Sequence, residues 1–170
     1  MIQSKNINKE VLCTIMWLDF AIILMMIFCA YIDIKMRIIP NKLCLSVLLI
    51  SVLKAFYIII INFNNNFKCT NFILSLFLGG LISLLFLGIP FFANNSVGGG
   101  DLKLSCCLGL YFGFTATISL LFIAFVSCAF CAIFINIYKH ITKKPKVKTL
   151  PFAPFLLIGL LYILFIKYFY

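Results

Sequence analysis

Four acidic residues are present in the chain, and two of them are spaced so that they could work as a pair. Glu10, Asp19, Asp33 and Asp101 are the only carboxylate side chains among 170 residues. Asp33 ends the first long apolar run, and Asp101 follows a glycine-rich break after the third. Two carboxyl groups at close range cannot both ionise easily, so one holds a proton near neutral pH. The ionised group can then deprotonate a water while the protonated group donates to a carbonyl oxygen, which is the chemistry of an aspartic hydrolase.

The other two acids are not candidates for this pair. Asp19 precedes Asp33 by 14 residues, which is about 21 Å along a helix and places it near the opposite interface. Glu10 lies before the first apolar run, outside the membrane. The alternative interpretation of the pair itself is that both acids are helix-end residues in the headgroup region. They would then be neutralised by nearby basic side chains: Lys35, Arg37 or Lys103.

The composition of the chain indicates that these acids belong to a membrane protein. The chain is 65% hydrophobic and 11% charged, whereas a soluble domain carries about 25% charged residues. The net charge of +10 comes mainly from lysines that flank apolar runs, so we predict contact with the lipid bilayer and no nucleic-acid partner. Eight cysteines fall mostly inside apolar runs, where they pack as small hydrophobes. Cys128 and Cys131 form a CxxC without the second pair of a structural zinc site, and we predict neither a metal nor an organic cofactor.

The apolar runs predict an all-α fold, a polytopic bundle of about six transmembrane helices in a single domain covering 1–170. The stretch 102–138 contains 37 residues, roughly 55 Å of helix, which is nearly two bilayer crossings. We therefore divide it by a tight turn near Gly113 to Thr115. The predicted spans are 11–32, 43–61, 72–92, 102–114, 116–138 and 151–169.

The basic residues of the loops predict the orientation of these spans. Nine lie on one face: Lys35, Arg37, Lys42, Lys103, Lys139, Lys143, Lys144, Lys146 and Lys148. Four lie on the other: Lys5, Lys9, Lys68 and Lys167. The first face is therefore predicted to be cytoplasmic, with both termini outside. Two complete spans separate Asp33 from Asp101, so both acids are expected at the cytoplasmic face.

Three short motifs lie on that predicted face. The segment Gly98-Gly99-Gly100-Asp101-Leu102-Lys103 lets the backbone approach a partner closely just before the second aspartate. Non-helical backbone at this depth is tolerated only against protein or water. Lys103 either biases Asp101 toward ionisation or anchors the topology.

The first aspartate begins the segment Asp33-Ile34-Lys35-Met36-Arg37-Ile38-Ile39-Pro40-Asn41, in which Pro40 starts a turn or helix. The third motif is Leu150-Pro151-Phe152-Ala153-Pro154-Phe155, with two prolines before the last helix.

Together and in this order, the three motifs resemble those of the type IV prepilin peptidases, which are GxGD-type membrane aspartic proteases. The resemblance covers roughly 18–159, and it departs slightly where two isoleucines separate Arg37 from Pro40. It implies that Asp33 and Asp101 are the catalytic pair. It also implies a supporting role for the residues of the motifs: Gly98, Gly100, Lys103, Arg37, Pro40, Asn41, Pro151 and Pro154.

The resemblance further implies the substrate and the cell compartment. Prepilin or pseudopilin proteins, with a short basic leader ending in glycine and a following apolar helix, would be cut at the cytoplasmic face of the plasma membrane. Larger members carry a cysteine-rich insertion with methyltransferase activity. The segment 35–42 is too short to hold one, so we predict cleavage without methylation. The size is similar to that of the small branch serving tight-adherence pili or of a minimal competence-type enzyme.

Other functions fit parts of the same pattern. A small ion-coupled transporter could use both aspartates to bind a cation or relay protons, with 93–100 as an unwound ion-binding stretch. A scaffold of a pilus assembly machine would need neither acid. A presenilin-like protease shares GxGD, but it pairs that motif with Tyr-Asp, and here Ile32 separates Tyr31 from Asp33.

Overall fold

The computed structural model describes residues 2–62, 69–94, 98–142 and 150–169. These residues form six helices: α1 (Ile2–Met36), α2 (Asn41–Asn62), α3 (Cys69–Asn94), α4 (Gly99–Phe112), α5 (Phe114–Ile141) and α6 (Ala153–Phe169). Part of the glycine-rich break lies outside the described residues, as do five lysines of the predicted loops: Lys68, Lys143, Lys144, Lys146 and Lys148. The excluded ranges there are 143–149, 63–68 and 95–97.

The predicted fold class, an all-α polytopic membrane bundle, is confirmed. Helices are the natural form of these segments because a lipid-embedded backbone must satisfy its hydrogen bonds internally. Four helices of the described chain are long and apolar enough to cross a membrane, within Cys13–Met36, Asn41–Ile61, Thr70–Ile89 and Phe114–Ile141. The helix Ala153–Phe169 is apolar but shorter, and α4 is shorter still.

Two helices continue beyond the apolar runs from which they were predicted. α1 extends to Met36, so Asp33 lies in its last turn rather than after it. α3 extends to Asn94, so the break before Asp101 is narrower than the sequence suggested. The extension of α1 carries helical backbone past Asp33.

α4 occupies the middle of the bundle. It packs against α2 on one side and most extensively against α3 on the other, and it also contacts α5. α1 packs on both α2 and α6, and α6 packs on α5, so α1 and α6 connect the α2 side of the bundle to the α5 side. Two glycines allow the closest of these approaches: a Cβ built on Gly79 would lie 2.4 Å from the carbonyl oxygen of Gly109, and the reverse distance is also 2.4 Å.

The long apolar stretch is divided at a single glycine. α4 ends at Phe112 and α5 begins at Phe114, with Gly113 between them at φ +78°. This left-handed conformation favours glycine, and a Cβ there would also lie 2.9 Å from the Ser75 hydroxyl. α5 then passes beside the start of α6, where the Phe125 ring packs on the Phe152 ring with centroids 5.2 Å apart.

Candidate active site

Asp33 and Asp101 line one small cavity of about 170 Å³. Asp33 enters it from the last turn of α1 and is only 4% exposed, while Asp101 enters it from the first turn of α4. The remaining lining comes from the α1–α2 connection and the glycine motif: Arg37, Ile38, Ile39, Gly98, Gly99 and Gly100. A space of this size, with two carboxyl groups facing it, has room for a few water molecules.

The carboxylate of Asp33 is held by the beginning of α6. Its Oδ2 accepts a hydrogen bond from the backbone N–H of Ala153 at 3.0 Å. The Phe152 carbonyl accepts the first helical bonds, from Phe155 and Leu156, so Ala153 is the first residue of the helix and its N–H has no partner within the helix. Pro154 fits the second position because proline is tolerated in the first turn. The double-proline motif therefore supplies a backbone donor to Asp33.

Asp101 has a different environment. Among the described residues, its Oδ1 atom is buried with no hydrogen-bond partner. Asp101 lies outside the four membrane-crossing segments named above. Burial chiefly, and then the nearby charge of Asp33, raise the pKa of Asp101 to about 7, against a smaller opposing effect of a hydrogen bond from the Gly98 backbone. Asp101 is thus partly protonated at neutral pH.

The glycines before Asp101 differ in how tightly they are packed. A Cβ on Gly100 would lie 2.9 Å from the Ile39 Cβ and 3.4 Å from the Ile39 backbone, so α4 begins in direct contact with the α1–α2 connection. A Cβ on Gly98 would lie 3.2 Å from the Asp101 Oδ2. Gly99 has more room, with the Phe91 ring as its nearest neighbour at 3.7 Å.

The connection from Asp33 to α2 is short and sharply bent. The Arg37 N–H donates to the Asp33 carbonyl at 2.8 Å, and Arg37 has φ +54°, a left-handed conformation that closes the end of α1. The chain then crosses through Ile39 to Pro40, whose carbonyl accepts from Leu43 at 3.0 Å and so starts α2. These residues carry the chain across the cavity and into the next span.

Lys103 and Asn41 form a contact beside the cavity. The Lys103 ammonium donates to the Asn41 side-chain oxygen at 3.0 Å, and this contact is exposed. The lysine therefore links α4 to the start of α2 and is bonded to an amide rather than to the Asp101 carboxylate.

A second acidic cluster was missed by the sequence analysis. Asp19 is 2% exposed. Its carboxylate accepts hydrogen bonds at 2.5 Å from the hydroxyls of Tyr111 and Tyr168, and it pairs with the ammonium of Lys167. The Lys54 ammonium lies 3.8 Å from Asp19 and donates to the Tyr111 carbonyl at 3.2 Å. We call these five residues the Asp19 cluster.

A signal for this cluster is present in the sequence. Thirteen of the 14 lysines and arginines could be assigned to loops or helix ends, and the one left over is Lys54, in the middle of the second apolar run. A basic residue within a span usually has an acidic partner, and Asp19 was the acid without a role. Among the described residues, no group of three or more His, Cys, Asp or Glu side chains is arranged to hold a metal ion.

The fold and the site define a class: a polytopic helical membrane protein with two aspartates facing one small cavity. The sequence model of the type IV leader peptidase family matches residues 20–133, about two thirds of the chain, and the protein belongs to this family. It is accordingly a peptidase of the prepilin peptidase type. The match includes Asp33, the glycine motif and Asp101, and it ends before the double-proline motif. Searches of curated proteins and of solved structures gave no match.

Proposed function

We propose that this protein is a membrane-embedded aspartic endopeptidase that removes the short basic leader from prepilin-like proteins. The proposal rests chiefly on one observation, that Asp33 and Asp101 line the same small cavity with different hydrogen-bonding environments. Family membership supports the peptidase activity, and the paired carboxyl groups support the aspartic mechanism.

The two environments assign different roles to the aspartates. The Ala153 N–H donates to Asp33, and such a donor favours the ionised carboxylate. Asp101, with a pKa raised to about 7 and an unpartnered oxygen, is the better proton donor. Asp33 is therefore the general base and Asp101 the general acid.

The reaction then proceeds in two proton-balanced steps. Asp33 takes a proton from water, the water oxygen bonds to the peptide carbonyl carbon, and Asp101 gives its proton to the carbonyl oxygen. In the second step Asp33 passes its proton to the amide nitrogen, the C–N bond breaks, and one hydroxyl of the intermediate returns a proton to Asp101. Both carboxyl groups end in their starting states.

The substrate and the location follow from the family and the charge pattern. A prepilin-like substrate presents a basic leader and an apolar helix, so its cleavage site lies at a membrane surface. The excess of lysine on the aspartate side supports a cytoplasmic location for that surface in the plasma membrane. Only four residues, from Arg37 to Pro40, separate α1 from α2, which supports cleavage without methylation.

The proposal is tested by Asp33→Asn and Asp101→Asn, each purified in detergent and incubated with a prepilin-like substrate. We expect each variant to lose at least about 10³-fold in cleavage rate, because a two-carboxyl mechanism fails without either group, and we expect both variants to remain folded. Asp19→Asn is the matched control, since it removes a buried carboxylate far from the cavity. Full cleavage by either of the first two variants would exclude that residue from the mechanism. Ion transport by the wild type with no cleavage would favour the transporter alternative.

A further inference from the structure

A groove open to the lipid runs between α2 and α3, with α4 as its floor. Among the described residues, α2 and α3 pack against α4 and scarcely touch each other. Two cavities lie along the resulting gap, of about 340 and 430 Å³. The first is lined by Asn41, Cys44, Leu45, Leu48, Leu84, Leu102, Lys103, Cys106 and Cys107. The second is lined by Ser51, Val52, Ala55, Phe56, Ile59, Ile73, Leu76, Phe77 and Leu110. We call the two together the α2–α3 groove.

The lining positions show that the two cavities are parts of one groove. On α2 they recur every three or four residues from Asn41 to Ile59, which is one face of a helix. On α4 they recur in the same way from Leu102 to Leu110. The face of α2 covers 18 residue steps, or about 27 Å, close to the roughly 30 Å of bilayer hydrocarbon. The groove is therefore as long as one transmembrane helix.

One end of the groove adjoins the aspartate cavity. Leu102 and Lys103 line the groove and directly follow Asp101, while Asn41 lines it two residues after Ile39 of the aspartate cavity. The Lys103–Asn41 hydrogen bond lies at this junction. A helix in the groove would thus end where an extended segment could continue toward the two carboxyl groups.

Away from the Lys103–Asn41 junction, most side chains that line the groove are apolar. Phe56 on α2 is 61% exposed and Phe77 on α3 is 67% exposed. Large aromatic side chains on both rims can pack on an apolar helix, and small residues such as Ala55 leave room for it between them. Packing of this kind drives helix association in lipid.

We propose that the α2–α3 groove holds the apolar helix of the substrate and delivers the adjoining leader to Asp33 and Asp101. This inference rests on the proposed function, and it identifies the substrate-binding surface of that same site. The length of the groove, its apolar lining and its continuity with the aspartate cavity together favour a single transmembrane helix as the occupant, rather than lipid or a second copy of the chain.

The first test fills the groove at a distance from the aspartates. Ala55 lies 14 residues beyond Asn41, about 21 Å along α2, so Ala55→Trp blocks the groove without reaching the carboxyl groups. Ala129→Trp places the same side chain on an exposed position of α5 and is the matched control. Two substrates are compared: a prepilin-like protein with its apolar helix, and a soluble peptide with the leader and cleavage site only.

We expect Ala55→Trp to reduce kcat/KM for the helix-bearing substrate at least about tenfold, mainly through KM, because lost helix packing weakens binding. Cleavage of the soluble peptide should stay at its wild-type level, and Ala129→Trp should change neither rate. If Ala55→Trp and the wild type cleaved the helix-bearing substrate equally well, the proposed role of the groove would be overturned, while the proposed peptidase function would stand. Failure of the wild type to cleave either substrate would instead overturn the proposed function.

Crosslinking through native cysteines gives a second test that does not depend on the Trp variants folding. Cys106 lines the groove and Cys131 lies on α5, and both are partly exposed free cysteines. A cleavage-resistant substrate with one cysteine in its apolar helix should crosslink to Cys106 and lose that crosslink in Cys106→Ser. The proposal would be overturned if the substrate crosslinked to Cys131 as efficiently as to Cys106. It would also be overturned if Cys106 crosslinked two copies of the protein to each other and added substrate did not lower the yield of that crosslink.

Discussion

Asp19 is buried and Asp101 has a buried carboxyl oxygen, yet the surroundings of the two residues are opposite. Asp19 has two ammonium groups and two tyrosine hydroxyls around its carboxylate. Asp101 has a buried oxygen with no partner in the described chain, and another carboxylate nearby. The two residues lie toward opposite ends of the bundle, since Asp19 is about 21 Å along α1 from Asp33.

The difference separates a structural acid from a reactive one. A buried charge is tolerated when it is paired and hydrogen-bonded, and the Asp19 cluster meets that condition while joining α1, α2, α4 and α6. A carboxyl group without such partners keeps its proton near neutral pH, and it can exchange that proton with a substrate. In the part of the chain that the structure describes, the bundle therefore satisfies the Asp19 carboxylate at one end and leaves one oxygen of Asp101 unsatisfied at the other.

The sharpest test of this contrast is the double variant Asp33→Asn/Asp101→Asn. We expect it to lose no more cleavage than either single variant, at least about 10³-fold or roughly 4 kcal/mol in barrier, because the two groups act as one unit. We expect its thermal unfolding temperature in detergent to be no lower than that of the wild type. A double loss equal to the product of the single losses would show that the two groups act independently.

For Asp19→Asn we expect the opposite pattern, a loss of stability with little loss of cleavage. Removing one member of a buried ion pair leaves uncompensated lysines, so we expect the free energy of unfolding to fall by about 3 kcal/mol. Cleavage per folded molecule should remain close to wild type. Thermal unfolding and active-site titration of the same sample measure both quantities, and an unchanged stability would remove the structural role assigned to this residue.

The three glycines before Asp101 allow the importance of close backbone packing at the reactive end of the bundle to be tested. Gly100→Ala pushes a Cβ into Ile39, and we expect kcat/KM to fall by roughly 30-fold, or about 2 kcal/mol, as the start of α4 shifts. In Gly98→Ala, the described atoms nearest the new Cβ belong to the Asp101 carboxyl group, and this variant should lose less. Gly99→Ala is the matched control, because its Cβ makes an ordinary contact and alanine favours a helix. Equal losses at all three positions would contradict the packing argument.

The smallest expected effect is that of pH. The general acid must be protonated, and the pKa of Asp101 is raised to about 7, so its protonated fraction falls as pH rises through that value. We expect kcat/KM to decrease about tenfold per pH unit above the apparent pKa of the pair, or roughly 1.4 kcal/mol. A kcat/KM profile from pH 5 to 9 measures this limb. A profile that is flat or rising above pH 8 would reassign the roles of the two aspartates.

Much of the fold could be predicted because a membrane limits the choices. Apolar runs of sufficient length must be helices, and counting spans places Asp33 and Asp101 on one side without knowledge of packing. The helix ends were less predictable. α1 continues past Ile32 to Met36 although Asp33 is the one buried residue of that last turn, and hydropathy alone does not report where such a helix ends.

The hydrogen bonds of the site could not be predicted from the sequence. The donor to Asp33 is the backbone N–H of Ala153, 120 residues away, and a backbone group carries no sequence signal for its partner. The same limit applies to Asp19, whose partners come from three other helices. Lys54 was the available clue, because a lone lysine inside an apolar run needs an explanation.

The contacts of α6 have a consequence for how the protein is made. Lys167 and Ala153 supply partners to Asp19 and Asp33, which precede them by 148 and 120 residues. α6 leaves the ribosome after the other five helices. During synthesis, Asp19 and Asp33 of α1 therefore lack these partners until α6 has been made. The aspartate cavity is complete only when this late helix has been inserted, and a nascent chain halted before α6 cannot yet hold Asp33 in its working position.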